Sequence, residues 1–226
     1  MHMEDKIVLF PGQKLYRYDI LANLPEEWNS QFHNPEYEGF EYGYKNTIGA
    51  VFVYDNEITA KQVLSEAVRK QRKKGNNIEL ATITTTEALD ELSLLDLEKD
   101  INTCSQMLCT LYELGIDVAT SDFFNHYRRQ SFEIIRHLLF DIYSGNENLR
   151  LEAEKQINDF FVFPPYLGQL LTDFENGLRF KDLLQSRNYD GYVFMEEYSS
   201  NTYCVFDSNK LLPPIHNILT VNDLIL

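Results

Sequence analysis

β-Strand and α-helix patterns occupy separate parts of this chain. The part before Asp100 contains mainly strand-like runs and turns, whereas from Asp100 to Gln185 apolar residues recur at the three-and-four spacing typical of helices. Two apolar runs follow, Tyr192–Met195 and Thr202–Phe206, separated by a polar stretch. Their spacing predicts a β-hairpin. This order predicts an α+β domain that spans residues 1–226 and carries a helical insertion over about 100–185.

Before the helical block, short apolar runs bounded by turn residues predict β-strands. These runs are Lys6–Phe10, Lys14–Ile20, Ile48–Tyr54, Ile78–Thr84 and Leu92–Leu97. The stretch Asn29–Gly43 mixes polar and aromatic residues, which predicts a loop packed over other parts of the protein. At the other end of the chain, Leu211–Leu226 contains two adjacent prolines and is predicted to be a packed tail.

One helix is predicted in this first part, from Asn56 to about Lys74. It ends in the basic run 69–74, and Gly75 follows it. Cations in the last turn offset the negative end of the helix dipole, and glycine is a common residue after a helix. The basic run therefore has two interpretations: a solvated helix end, or a contact for a phosphate-bearing ligand or an acidic partner.

Composition excludes several classes of protein. The chain has 226 residues, 44% of them apolar, with 15 Phe and 14 Tyr, which is enough to build a core. Disorder, collagen and coiled coil are excluded as descriptions of the whole chain. The net charge of −15 opposes binding to nucleic-acid phosphates. Nucleic acid is therefore not an expected partner. No apolar run approaches the roughly 20 residues of a membrane span, so a membrane is not an expected partner either.

The N-terminus and the cysteines favour the cytosol. Met1–Phe10 carries three charges before a four-residue apolar run, which is unlike a secretory signal peptide. Three cysteines, Cys104, Cys109 and Cys204, are an odd number widely spread, which speaks against a disulfide framework. No cysteine or histidine pair lies at zinc-finger spacing, so no metal is expected.

Motifs of the common cofactor-dependent enzymes and hydrolases are absent. The chain has no GxGxxG, Walker, GxSxG, HExxH or kinase motif. Its histidines are isolated from one another, and we expect them on the surface or in the core rather than in a site. The ones weighed individually are His33, His126, His137 and His216.

Three strand positions carry the remaining candidates. Arg17 lies between two tyrosines in a short strand, so it is predicted to face either a ligand or a buried carboxylate in a structural salt bridge. Tyr54 ends an apolar strand just before a helix, where residues often line a site, although a core position is equally consistent. Glu196 and Glu197 follow an apolar strand and point to opposite faces, or form an acidic turn in water.

These residues lie in segments that resemble a known family. Gly43–Tyr54 and the helix after it resemble the core of RES-domain toxins, in which a glycine-rich turn leads into a strand ending in Tyr and a helix carrying Glu. Here that helix supplies Glu66. Tyr189–Phe194 and Tyr203–Ser208 are similar to the closing hairpin of the wider ADP-ribosyltransferase superfamily, with its Tyr-Asp-Gly turn and Val-Phe-Asp strand. The resemblance follows the same order along the chain and leaves out the helical block.

The resemblance implies a split β-sheet core of ADP-ribosyltransferase type that takes NAD as its substrate and needs no metal. It implies that Arg17 holds the cofactor from the first core strand and that Tyr54 packs on nicotinamide. It implies that Glu196 or Glu197 is the late catalytic carboxylate, with Glu66 as a third candidate.

The turn before the Tyr strand departs from the family pattern. RES proteins usually have Arg there, whereas this sequence has Tyr44 and Lys45, which are its remaining candidates for cofactor binding. Lys45 is a weaker phosphate contact, because lysine lacks the bidentate fork of arginine.

The predicted function is cleavage of NAD by an NAD glycohydrolase or a protein ADP-ribosyltransferase, which acts as a bacterial toxin or effector. Its expected partners are NAD and an antitoxin or a host protein, in the cytosol of the producer or of a host. The alternative is a non-catalytic interaction protein that retains the fold and binds a protein partner, and the missing Arg in the Gly43 turn favours it. An unrelated α+β hydrolase is the remaining possibility.

Overall fold

Eight strands form two sheets in the computed structural model of this chain. The structure describes residues 6–20, 26–28, 48–96, 137–160, 176–196 and 200–224, and single residues at 24, 105, 106, 109 and 112. The strands are β1 Lys6–Leu9, β2 Lys14–Asp19, β3 Val51–Val53, β4 Leu80–Glu87, β5 Leu92–Asp96, β6 Gly191–Glu196, β7 Ser200–Val205 and β8 Ile215–Thr220. The predicted α+β class is confirmed.

The strand order brings distant parts of the chain together. The five-stranded sheet has the order β1-β5-β6-β7-β3, and the three-stranded sheet has the order β2-β4-β8. The pairing of β5 with β6 is parallel, and every other strand pair in the described residues is antiparallel. The predicted C-terminal hairpin is present as β6 and β7, in which Gly191 lies opposite Val205 and Glu196 lies opposite Ser200.

Helix α1 (Glu57–Lys73) forms where the sequence predicts it. The side chain of Asn56 caps its first turn by accepting hydrogen bonds from the backbone N–H groups of Ile58 and Thr59. Its buried residues, which recur at helical spacing, are Ala60, Val63, Leu64, Val68 and Gln71. Gly75, beyond the helix, has a φ of 87°, a left-handed conformation that favours glycine.

Two further helices, α2 (Glu147–Phe160) and α3 (Asn176–Ser186), lie within the predicted helical block. Lys181 of α3 donates a hydrogen bond to the carbonyl oxygen of Ile48 at 2.8 Å, which ties this helix to the segment before β3. Among the described helices, none has the combination of length and apolar character that crossing a bilayer requires.

The two sheets meet at Tyr16 and Tyr54. The backbones of these residues exchange N–H···O=C hydrogen bonds of 2.8 and 2.6 Å, which join β2 to the chain just after β3. Residues from both sheets share one cluster, the inter-sheet core. It comprises Leu9, Leu15, Val51, Val53, Ala88, Leu92, Leu94, Val193, Tyr203, Val205 and Leu211.

A second cluster, the helix-side core, fills the space between α1 and the opposite face of the three-stranded sheet. It comprises Ile20, Tyr54, Ala60, Val63, Leu64, Val68, Ala81, Ile83 and Val221. The three-stranded sheet is therefore covered by apolar side chains of α1 on one face and contributes to the inter-sheet core on the other.

Three predicted elements differ from the structure. The strand predicted over Ile48–Tyr54 is shorter, and the one predicted over Ile78–Thr84 runs on to Glu87. The C-terminal segment, predicted to be a packed tail, contains β8, which pairs with β4 along six residues. Its two prolines precede this strand and so do not interrupt its ladder. The predicted loop Asn29–Gly43 lies outside the described residues.

Candidate functional site

The strand β2 presents different chemistry on its two faces. Successive side chains of a strand point to opposite faces. Tyr16 and Tyr18 pack against the helix-side core. Leu15, which is fully buried, belongs to the inter-sheet core, and alternation puts Arg17 and Asp19 on the same face as Leu15. Arg17 therefore projects from the face that the three-stranded sheet turns toward the other sheet.

Arg17 faces a buried carboxylate, which is one of the two outcomes that the sequence predicts for it. Its Nε lies 3.1 Å from Oδ2 of Asp19, and its Nη2 lies 3.2 Å from Oδ1. The Arg17 side chain is 14% exposed and that of Asp19 only 2%. Burial raises the pKa of the Asp19 carboxyl above its ordinary value, while Arg17 and His216 oppose that rise by favouring the charged form.

A row of hydroxyl groups continues this face across the sheet. Thr84 lies opposite Arg17 on one side and opposite His216 on the other, and its Oγ1 is 2.9 Å from Nδ1 of His216. Thr86 donates a hydrogen bond to the carbonyl oxygen of Leu212 at 2.7 Å. We call this surface the polar face, and its residues are Arg17, Asp19, Thr82, Thr84, Thr86 and His216.

The burial of the polar face is unusual for its composition. Asp19, Thr82, Thr84 and Thr86 are each at most 3% exposed. Burying a polar group costs free energy unless it is hydrogen-bonded. A buried face of this composition therefore indicates hydrogen-bond partners or a functional site. Sequence reasoning missed Asp19, the threonines and His216 as members of a site. The signal for Asp19 was its spacing of two from Arg17 in the predicted strand.

The backbone of Tyr54 lies beside that of Tyr16, but its side chain and that of Arg17 lie on opposite faces of the three-stranded sheet. Tyr54 is 3% exposed, and its ring stacks on the ring of Tyr18, with centroids 6.1 Å apart and an angle of 26° between the planes. The Tyr16–Tyr54 bridge brings the backbones of Tyr54 and Arg17 close together. Their side chains belong to opposite faces of the three-stranded sheet, because Tyr54 packs in the helix-side core.

Tyr203 and Asp55 form a hydrogen-bonded pair of phenol and carboxylate just after β3. The hydroxyl of Tyr203 donates a hydrogen bond to Oδ2 of Asp55 at 2.7 Å, and Tyr203 is 6% exposed in the inter-sheet core. Burial, that hydrogen bond and the charges of Asp55 and Asp96 raise the pKa of the Tyr203 phenol above its ordinary range. The sequence carried no signal for this pair, since the two residues are 148 positions apart.

Two of the carboxylate candidates, Glu66 and Glu196, lie on different elements. Glu66 lies in the middle of α1 and forms an ion pair with Arg69 of the same helix, with a nitrogen–oxygen distance of 2.6 Å. Glu196 is the last residue of β6, where its backbone pairs with Ser200. Glu197, Tyr44 and Lys45 lie outside the described residues.

The residues that carry the family resemblance near the C-terminus have structural roles. Asp190 of the Tyr-Asp-Gly turn accepts hydrogen bonds from the backbone N–H of Ser93 at 2.8 Å and from Nζ of Lys210 at 2.6 Å. Asp207 of the Val-Phe-Asp strand caps the short 3-10 helix Ser208–Lys210 by accepting from the backbone N–H of Asn209. Asp190 thus ties the start of the hairpin to β5 and to Lys210, and Asp207 fixes the chain just after the hairpin.

In the part of the chain that the structure describes, no group of three or more His, Cys, Asp or Glu side chains is arranged to hold a metal ion. Comparison with protein-family models, curated proteins and solved structures gave no match to this chain.

Proposed function

We propose that this protein cleaves NAD between nicotinamide and ribose, as an NAD glycohydrolase or a protein ADP-ribosyltransferase, and serves as a toxin or effector. The observation that carries the proposal is Arg17, a permanent cation fixed on the buried polar face. The planar fork of arginine binds phosphate oxygens in pairs, so a pyrophosphate is a fitting ligand. The sequence resemblance to RES-domain toxins supports the same reading, because Arg17 matches the residue that holds the cofactor there.

Cleavage of NAD requires a cation that binds the pyrophosphate and, at a separate position, a carboxylate near the ribose. Breaking the bond between nicotinamide and ribose builds positive charge on the sugar, which a fixed carboxylate stabilises, as in glycoside hydrolysis. Glu196 and Glu197 are the candidates for that carboxylate, with Glu66 as the third. Water as the acceptor gives a glycohydrolase, and a side chain of a target protein gives a transferase.

Release of free nicotinamide from NAD by the purified protein tests the proposal. At NAD concentrations below KM, we expect Arg17→Gln to lower the rate by about 100-fold, because it removes charged hydrogen bonds to the pyrophosphate and so weakens substrate binding. Glu196→Ala and Glu197→Ala run in parallel identify the carboxylate. Glu57→Ala is the matched control, because Glu57 is a half-exposed acid that forms an ion pair with Lys61, one turn further along α1.

Tyr54→Phe keeps the stacking on Tyr18 and removes only the hydroxyl, so it tests that group directly. Loss of nicotinamide release with an unchanged melting temperature supports a role of the hydroxyl in the reaction, and full activity excludes that role, since Tyr54→Phe retains the ring. Adding cell lysate distinguishes the two reactions, since free ADP-ribose marks a hydrolase and ADP-ribosylated protein marks a transferase. No release under either condition overturns the proposal in favour of the non-catalytic interaction protein.

A further inference from the structure

The Arg17–Asp19 ion pair joins two residues of the same strand. Ion pairs that stabilise tertiary structure connect different elements, whereas this one connects positions two apart in β2. The hydrogen bonds of the pair therefore stay within β2, and the charge of His216 on β8 also favours the ionised form of Asp19. What the pair does determine is the conformation of the Arg17 side chain.

The geometry of the pair fixes the guanidinium plane. Both oxygens of Asp19 contact Arg17, one through Nε and the other through Nη2, so the carboxylate binds along one side of the fork. A bidentate contact defines the direction of the guanidinium as well as its distance, which a single hydrogen bond does not. The exposure is uneven, since 14% of the Arg17 side chain but 2% of Asp19 is accessible.

This arrangement is costly if stability is its only purpose. Burying a carboxylate incurs a desolvation penalty, and well-packed apolar residues in place of a buried ion pair are often as stable or more stable. The neighbouring Leu15, on the same face of β2, shows that an apolar side chain is accommodated there. The buried charge of Asp19 is better explained by what it does to Arg17.

We infer that Asp19 is the positioning residue of Arg17 and holds its guanidinium in the orientation that receives the anionic part of the substrate. This inference rests on the proposed function, in which that anion is the pyrophosphate of NAD. A preoriented cation binds without first losing side-chain freedom, so the effect belongs to substrate binding more than to bond cleavage.

Steady-state kinetics of nicotinamide release test the inference on the full chain. We expect Asp19→Asn to raise the KM for NAD by at least about tenfold, the value of a hydrogen bond to a charged group, and to change kcat less. Leu15→Ala is the matched control, because it also removes buried contacts from this face of β2 and leaves the ion pair in place. Its KM is expected to equal that of the wild type.

A double-mutant cycle separates positioning from a direct role. In an Arg17→Gln background, Asp19→Asn is expected to cause no further rise in KM, because Asp19 acts through Arg17. An equal rise in both backgrounds overturns the inference. Arg17→Lys is a second test if Asp19→Asn does not fold, because lysine keeps the charge and lacks the fork of arginine. A wild-type KM for Arg17→Lys also overturns the inference.

The failure of the inference and the failure of the proposed function are distinct. A wild-type protein that releases no nicotinamide overturns the proposed function, and the inference falls with it. A wild-type protein that is active, with an Asp19→Asn variant whose KM matches that of Leu15→Ala, overturns the inference alone.

Discussion

Gly191 lies directly against the backbone carbonyl of Cys204. A Cβ atom at position 191 would overlap with that oxygen and would lie 2.9 Å from Cδ2 of Leu94. Gly191 is the first residue of β6 and pairs with β5 on one side and β7 on the other. Both obstacles belong to these neighbouring strands, so the glycine of the Tyr-Asp-Gly turn is required by close packing of the sheet.

We expect Gly191→Ala to destabilise the protein by more than about 4 kcal/mol or to prevent folding, because the obstructing atom is backbone and cannot rotate away. Gly75→Ala is the control, since a Cβ there meets nothing within 4 Å but must adopt a φ of 87°. Its expected cost is about 1–2 kcal/mol. Urea unfolding measures both, and equal losses would contradict this account of Gly191.

Asp190 is expected to stabilise the hairpin mainly through its hydrogen bond to Ser93. Asp190→Ala removes both of its partners and should cost about 2–3 kcal/mol. Lys210→Met removes only the ion pair, and since the Lys210 side chain is 36% exposed, its expected cost is at most about 1 kcal/mol. The midpoints of urea unfolding compare the two variants. A larger loss for Lys210→Met would show that the ion pair is the stronger contact.

Tyr203 should make stability fall at alkaline pH. Its pKa is raised in the folded state, so its contribution is fully present below about pH 10, where the unfolded phenol is still protonated. Above that pH the unfolded state loses its proton first. The stability difference between the wild type and Tyr203→Phe should therefore shrink, by up to about 1.4 kcal/mol per pH unit. A difference that stays constant from pH 7 to 11 would exclude this linkage.

Asn56 should stabilise the start of α1. Asn56→Ala removes the acceptor for the N–H groups of Ile58 and Thr59 and is expected to cost about 1 kcal/mol, a fall in melting temperature of about 2–4 °C in a protein of this size. Asn56→Asp keeps an acceptor and should melt within about 1 °C of the wild type. A similar fall for both variants would mean that the cap itself contributes little.

The sequence predicted the elements that local patterns determine. Helix α1 and the glycine after it follow from short-range rules, and the hairpin of β6 and β7 follows from two apolar runs with a polar loop between them. Strand β8 was missed because its exposed Ile215 and Ile218 and its polar neighbours give no strand alternation. It becomes a strand by pairing with β4, and that contact is not local.

The candidate site was predictable only in part. Arg17 was identified because a cation between two tyrosines in a strand is unusual. The pairing of Thr84 with His216 joins residues 132 positions apart, and no local pattern indicates it. Tyr54 was predicted to end a strand and lies one residue beyond β3, yet alternation alone did not show which face its ring occupies. That depends on α1, which covers the ring.

The strand order also determines when each sheet can be completed during synthesis. β3 borders β7, and β4 borders β8, so the first half of the chain contains strands whose neighbours lie in residues 200–220. Closing loops of this length costs conformational entropy before any contact offsets it, which slows folding. Unpaired strand edges also promote aggregation. A nascent chain that ends before β6 has α1 and the pairings of β1 with β5 and β2 with β4 within reach. The remaining edges are protected only after the C-terminal strands leave the ribosome.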